Sequence, residues 1–291
     1  MTRRIAVVPN VGADGRRPYT GTVDASAALG PGSAVDAVRA ELRLAFTSPY
    51  VAPLVVAGNA GLVIVCWRFL PVGLQDWLFH FHGALAFPMV LATWMLADVP
   101  ATNVLGNDPH RALAVLDDPA ALRRLLYAKS VALWLLVCPA CAIVALIVGA
   151  TTGDWPEAGL IAIWILLVPA GTLGFSSWLG IYWPYHPRRL DWRWQHRRSR
   201  RTTLRWLTLI LAPYGVVPLI EVLVLLPALV AWLATGGDPD ATIPDDEFLF
   251  IVVASGVVAA ATFVIGHRTA ARIAARRRTG LRAYLADPDR G

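Results

Sequence analysis

The chain has 291 residues, of which 56% are hydrophobic and 16% are charged. Soluble domains average about 45–50% apolar and about 25% charged residues, so this composition argues against a soluble globular protein. The formal net charge of +6 could suit a nucleic-acid binder, but the basic residues lie at the ends of apolar runs, where they attract anionic headgroups. We therefore expect membrane lipids, and no nucleic acid, as partners.

The first 32 residues are rich in Gly, Pro and Ala without any periodicity, and we expect a disordered tail there. From residue 33 to residue 48 the pattern becomes helical, and Ser33 is a suitable N-cap. Its apolar residues, spaced three or four apart, are Val35, Val38, Leu42 and Phe46. A short amphipathic helix before a first span is typical of one lying in the membrane interface. The alternative is a helix that simply packs on the protein.

Six apolar runs follow, each of about 20 residues or more and therefore long enough to cross a hydrocarbon core of roughly 30 Å. They cover approximately Tyr50–Phe69, Trp77–Asp98, Leu126–Ala150, Gly159–Tyr182, Leu204–Ala231 and Phe248–His267. The sequence therefore predicts an all-α integral membrane protein. Residues 49–267 are expected to form six transmembrane helices, and residues 268–291 a basic tail.

The distribution of positive charge predicts the orientation of these spans. Of the 26 Lys and Arg residues, all except Arg68 lie in or beside segments that a six-span topology places on one side. The positive-inside rule assigns that side, with both termini, to the cytoplasm. The segment between the fifth and sixth runs agrees, because it carries acidic residues without a base: Asp238, Asp240, Asp245, Asp246 and Glu247.

The segment between the second and third runs contains the dipeptide Asp-Pro twice. Asp accepts hydrogen bonds from free amides at a helix start, and Pro fits the first helical position, which needs no amide hydrogen. The pattern predicts a short helix from Pro109 to about Leu116, a turn at Asp117–Asp118, and a second helix from Pro119 into the third run. Such a short helix is either a rigid lever or a well-capped loop without a partner.

Polar residues inside predicted spans are candidates for function, because they are costly in lipid. Glu221 lies late in the fifth run, which is interrupted by prolines and longer than one span requires. It is a candidate for a translocation path; a partly solvated carboxylate near the outer surface is the alternative. His80 and His82 are further candidates for the path. Two residues apart, they face different sides of a helix, so we predict no shared metal site.

Three motifs, in chain order, resemble those of the membrane subunit of type II ABC exporters, the ABC-2-like permease family. Asn103, Gly106 and Asp108 resemble the family's Asn-x-Phe-Gly-x-Asp pattern, with Leu in the place of Phe. The segment 119–129 is similar to the family's entry to the third span, with Ala128 where Gly usually precedes Lys. The segment 180–185 resembles the Phe-Pro ending of the fourth span in bacterial members.

The resemblance implies a permease subunit in the bacterial cytoplasmic membrane, multi-pass, with both termini inside. The helix Pro109–Leu116 is then the coupling helix that docks on a separate ABC ATPase subunit. A second permease, either another copy of this chain or a homologue, completes the pair. The residues implied in coupling are Asp108, Pro109, His110, Arg111, Leu116, Asp117, Asp118, Arg123 and Arg124.

The sequence contains no Gly-x-x-x-x-Gly-Lys-[Ser/Thr] phosphate loop, so we expect ATP and Mg²⁺ on the partner and no cofactor on this chain. No HExxH or Gly-x-Ser-x-Gly motif is present either, and an integral membrane enzyme is the less favoured alternative. A membrane scaffold or immunity-type accessory protein without transport is another. The Glu-Ala-Ala signature of the family's importers is missing, which favours export; the cargo stays open.

Overall fold

The structure, a computed structural model, describes residues 33–47, 51–74, 86–96, 99–186, 199–234, 236 and 245–287. Within these ranges the chain forms helices and no strand, which confirms the all-α prediction for this part. The helices, in chain order, are α1 (Ala34–Ala45), α2 (Val51–Phe69), α3 (Ala86–Leu96), α4 (Val99–Thr102), α5 (Pro109–Val115), α6 (Pro119–Thr152), α7 (Trp155–Tyr182), α8 (Arg200–Val224), α9 (Leu226–Ala234), α10 (Asp245–Arg276) and α11 (Arg278–Leu285).

Three helices of the described residues are long and apolar enough to cross a membrane. They are Pro119–Thr152, Trp155–Tyr182 and Glu247–Arg276 within α10. The shorter helix Pro53–Phe69 is also apolar. These helices support a membrane protein with several spans, whereas six crossings and cytoplasmic termini stay predictions.

The remaining predicted spans are described in pieces. The second run is helical over α3, and its residues before 86 lie outside the described ranges. The fifth run is divided, because α8 ends at Val224 and α9 begins at Leu226. Pro227 lies in the first turn of α9, where a missing amide hydrogen costs no intrahelical bond. The proline-interrupted run therefore forms two helices.

The centre of the fold is the bundle of α6, α7 and α10. A two-residue turn joins α6 to α7, so the two helices pack as antiparallel neighbours. Gly153 ends α6 in the left-handed conformation, with φ of 82°, and its amide donates to the carbonyl of Gly149 at 2.8 Å. Asp154 then caps α7, because its side chain accepts the amide of Glu157 at 3.3 Å. Both helix ends thus satisfy backbone groups that would otherwise be unpaired.

Helices α7 and α10 approach each other most closely at two glycines. A methyl group on Gly266 would lie 2.5 Å from the carbonyl carbon of Gly174, and a methyl group on Gly174 would lie 2.8 Å from the Cα of Phe263. Small residues allow the backbones of apolar helices to approach each other in this way. Beside the crossing, Trp178 Nε1 donates to the carbonyl oxygen of Gly266 at 3.0 Å.

Helix α1 lies against α6 and is capped by Ser33 as predicted, over a slightly shorter range than residues 33–48. Its buried residues are Ala37 and Glu41, which lie beside the predicted apolar face. Two residues of that face point outwards, since Val35 is 67% and Phe46 is 59% exposed. The helix therefore packs on the protein and also presents an apolar edge, whereas its place in a membrane interface stays a prediction.

The basic C-terminal segment is helical over most of its length. Helix α10 continues nine residues beyond the predicted end of the sixth span at His267 and reaches Arg276. Helix α11 follows, with Leu281, Tyr284 and Leu285 buried. The predicted boundary between the transmembrane domain and a basic tail thus falls inside a continuous helix.

The glycine crossing provides a test of the packing of α7 and α10. We expect Gly266→Ala to lower the free energy of unfolding by about 1–3 kcal/mol, because the new methyl overlaps the backbone of Gly174. Gly256→Ala in the same helix is the matched control, since its methyl would meet the nearest atom, in Leu167, at an ordinary 3.7 Å. Thermal midpoints in detergent give the comparison. Equal midpoints for the two variants would contradict this prediction, because they would show that α7 and α10 can move apart around the new methyl group without loss of stability.

Candidate functional site

The candidate site begins at Asn103, whose side chain is fully buried between two segments of backbone. Its Nδ2 donates to the carbonyl oxygen of Tyr185 at 2.6 Å, and its Oδ1 accepts the amide of Tyr185 at 3.0 Å. One amide side chain thus satisfies both main-chain groups of a buried residue just beyond α7. The segment before α5 is therefore fixed to the end of α7.

Two glycines make this close approach possible. A methyl group on Gly106 would collide with the carbonyl oxygen of Tyr185 and with Oδ1 of Asn103. A methyl group on Gly180, in the last turns of α7, would lie 2.7 Å from the carbonyl oxygen of Thr102. The Asn-x-x-Gly spacing of the motif thus has a physical reason: asparagine pairs with the passing backbone and glycine leaves space for it.

Asp108, the third residue of the motif, caps α5 and binds two basic side chains. Its Oδ1 accepts the amide of Arg111 at 3.4 Å, and its Oδ2 lies 3.2 Å from Arg111 Nη1. Lys129 Nζ of α6 lies 3.6 Å from the same Oδ2. The other terminal nitrogen of Arg111 pairs with Oε1 of Glu41 in α1. A single charge network therefore ties α5 to both α1 and α6.

Arg111 is the central cation of this network. Burial alone would lower the pKa of its guanidinium, but the hydrogen bond to Glu41 and the negative charges of Glu41 and Asp108 raise it above the ordinary value. The side chains of Arg111 and Glu41 are only 14% and 9% exposed. Such a pair is coupled, because removing Arg111 leaves the buried Glu41 carboxylate without this counter-charge, whereas removing Glu41 leaves Arg111 with Asp108.

Helix α11 covers the other side of α5. Its three buried residues belong to one apolar cluster with residues of α5 and its flanking turns, namely Val104, Leu105, Ala112, Val115 and Leu116. Asp117, which follows α5, pairs with Arg282 and lies 3.8 Å from Arg278 Nε. His186 Nε2 lies 2.9 Å from the carbonyl oxygen of Tyr284, with the two rings stacked. Helix α5 is therefore packed on a platform, by which we mean α1, the start of α6, residues 185–186 and α11.

The predicted local structure around α5 is confirmed. The helix covers Pro109–Val115 with Pro109 at its first position, and a turn separates it from α6. Asp118 caps α6, because its Oδ1 accepts the amides of Ala120 at 2.8 Å and Ala121 at 3.2 Å.

The predicted coupling residues have different surroundings in the structure. His110 is exposed, as a docking residue must be. Leu116 is 1% exposed and belongs to the apolar cluster, so it supports α5 and cannot contact a partner directly. Arg111 is likewise turned inwards. Arg123 and Arg124 line a groove between α6 and α10.

Of the predicted path residues, Glu221 is the one that the structure describes. Glu221 lies in the last turn of α8 and is partly buried, and no described residue forms an ion pair with it. His80 and His82 lie outside the described residues. Within the part of the chain that the structure describes, no group of three or more His, Cys, Asp or Glu residues could hold a metal ion.

Sequence reasoning missed two contributors to the site. Glu41 lies outside the predicted apolar face of Val35, Val38, Leu42 and Phe46, and no local signal connects it to Arg111, 70 residues away. The contribution of α11 could have been found, because Leu281, Tyr284 and Leu285 have the i, i+3, i+4 spacing of one helix face.

No family model, curated protein or solved structure matches this chain. The site is therefore interpreted from its own geometry.

A double-mutant cycle tests the buried network. We expect Glu41→Gln and Arg111→Gln each to destabilise the protein, with a coupling energy of about 1–3 kcal/mol between them, because each removes the counter-charge that the other side chain has in this buried pair. The exposed pair of Arg278 and Asp117, with side chains 56% and 49% exposed, is the control cycle. Its coupling is expected at about 0.2–1 kcal/mol. Unfolding in detergent provides both values; equal couplings would contradict the structural role of Arg111.

Proposed function

We propose that this chain is the permease subunit of an ABC-type exporter of the bacterial cytoplasmic membrane. In this proposal both termini are cytoplasmic, and the chain pairs with a second copy or with a homologous permease. A separate ATPase subunit binds and hydrolyses ATP with Mg²⁺, and α5 is the helix that receives its movement.

The observation that carries the proposal is the contrast between the two sides of α5. Its outer side has the exposed His110, with Asn107 exposed just before the helix and Asp117 just after it. Its inner side has Ala112 and Val115, which are 0% and 1% exposed and belong to the apolar cluster. A helix that transmits movement needs an exposed face that a partner can contact and a buried face that packs on the rest of the protein. A capped loop without a partner needs neither face.

The contacts of α5 support a rigid transmission of movement. The Asp108 network connects it to Lys129 in α6, which continues into a helix long enough to span the membrane. The pairing of Asn103 with Tyr185 connects it to the end of α7. A push on α5 would therefore displace the ends of two long helices together. Such a push changes the protein's conformation only when the ATPase makes different contacts in its two states.

The remaining assignments of the proposal come from the sequence. Export is preferred because the importer signature is missing, and Glu221 is proposed to line the path between helices. The class of cargo is left unassigned.

His110→Glu is the sharpest test of docking, because it changes an exposed residue of α5 and leaves the platform intact. The tagged full-length chain is purified in mild detergent from its own host, and co-purified proteins are identified by mass spectrometry. We expect the wild type to retain a nucleotide-binding subunit in roughly stoichiometric amount. The variant should lose about tenfold or more in affinity, because a new carboxylate is placed in the docking contact.

Ala275→Glu, at an exposed position near the end of α10, adds a carboxylate outside α5 and is the control for charge. Thermal midpoints of both variants must equal that of the wild type for the comparison to count. Equal loss of the ATPase from both variants would contradict docking at α5. A wild-type chain that purifies without any ATPase would reject the permease and favour the scaffold alternative.

A further inference from the structure

An open groove lies between the start of α6 and the end of α10. Its volume is about 570 Å³, and Ala34 of α1 lies at its edge. The polar lining includes Arg123, Arg124 and Arg268. The groove thus brings three cations from two neighbouring helices to one cavity.

A second, smaller cavity of about 380 Å³ continues this groove along α10. It shares Ala120, Arg123 and Arg268 with the first cavity and adds Arg272. We name the two cavities together the arginine groove. Four arginines, two on each helix, therefore line one continuous depression.

Among the described residues, the lining of the arginine groove carries more positive than negative charge, since it has four arginines and one carboxylate, that of Asp118. Among the residues that the structure describes, no carboxylate forms an ion pair with Arg123, Arg268 or Arg272. Asp118 is the acidic residue in the lining, and its Oδ1 is already occupied by two backbone amides at the start of α6. A cluster with such an excess of positive charge attracts an anion from outside.

The inner part of the same groove is mainly apolar. Tyr127 and Val264 line it together with His267. Both ring nitrogens of His267 are engaged, since Nε2 lies 2.8 Å from Ser130 Oγ and Nδ1 lies 2.8 Å from the carbonyl oxygen of Phe263. The ring of His267 therefore lines the groove, and neither of its nitrogens is available to bind a ligand.

The arginine groove lies where two apolar helices meet their basic ends. In α10, the twenty residues before Arg268 include no Asp, Glu, Lys or Arg. In α6, the residues that follow Lys129 include none of these four types either. A charged head held at Arg123 and Arg268 would thus have an apolar surface directly beside it. A soluble anion would not use that surface, whereas an amphiphile would.

We propose that the arginine groove binds an anionic phospholipid, with its phosphate between Arg123 and Arg268 and its apolar part along Tyr127 and Val264. Guanidinium groups match phosphate oxygens with paired hydrogen bonds. Basic pockets between membrane helices recognise lipid headgroups in this way. The proposal requires a membrane protein and does not depend on transport or on an ATPase. It also assigns Arg123 to lipid binding in place of coupling.

Native mass spectrometry of the full-length protein in detergent, titrated with phosphatidylglycerol, tests the proposal. We expect one lipid per chain to be retained preferentially. The Arg123→Gln, Arg268→Gln double variant should weaken this binding by about tenfold or more, because two charge-assisted contacts are lost. The Arg123→Lys, Arg268→Lys variant should keep part of the affinity, since it keeps the charge.

The matched control removes the same charge elsewhere. Arg39→Gln with Arg276→Gln changes two exposed arginines that do not line the groove, and it should bind phosphatidylglycerol as the wild type does. Thermal midpoints exclude unfolding as the cause of any loss.

Four outcomes would overturn the proposal. Equal weakening in the control would show attraction by net charge without a site. Equal retention of phosphatidylcholine would show an apolar contact that ignores the charge of the headgroup. Displacement of the lipid by inorganic phosphate at similar concentration would assign the groove to a free anion. If the Arg123→Gln, Arg268→Gln variant lost a co-purified ATPase and still bound the lipid as the wild type does, Arg123 would be assigned to coupling and not to lipid binding.

Discussion

The pairing of Asn103 with the main chain of Tyr185 is the constraint on which the arrangement around α5 depends. The two residues are 82 positions apart, and the amide side chain satisfies both an N–H and a C=O group that have no access to water. A buried backbone group without a partner costs about 1–3 kcal/mol, so the contact defines one register between α5 and α7. Gly106 is required beside it because any side chain would occupy the position of the Tyr185 carbonyl.

The charge network around Arg111 fixes the relative positions of α1, α5 and α6 more than it stabilises the fold. Removing water from buried charges costs several kcal/mol per ion, and their mutual attraction repays that cost only when the hydrogen bonds are well formed. Arg111 meets this condition by using separate nitrogens for Asp108 and Glu41. Because Lys129 shares Asp108, a rotation of α5 would break several of these contacts together. The network therefore favours movement of α5, α1 and α6 as one body.

Local features of the sequence were sufficient to predict α5 and the start of α6. Asp-Pro specifies a cap and a first helical residue within two positions, and both helices begin where this dipeptide predicts. Contacts between distant segments could not be predicted in that way. The partner of Asn103 lies beyond α7, and Glu41 pairs with an arginine of α5 that lies 70 residues later in the chain. Burial of Leu116 likewise depends on distant segments, because its apolar cluster includes residues of α6, α7, α10 and α11.

Helix α6 lines the arginine groove and also contacts the proposed coupling helix α5. Arg123 lies in the second turn of α6, and Lys129 of the same helix contacts Asp108 at the start of α5. A displacement of α5 that moves the start of α6 relative to α10 would therefore change the distance between Arg123 and Arg268 of α10. A lipid held by both arginines would then bind the two positions of α6 with different affinity. Since such linkage is reciprocal, any factor by which docking at α5 changes lipid affinity is also the factor by which the lipid changes docking.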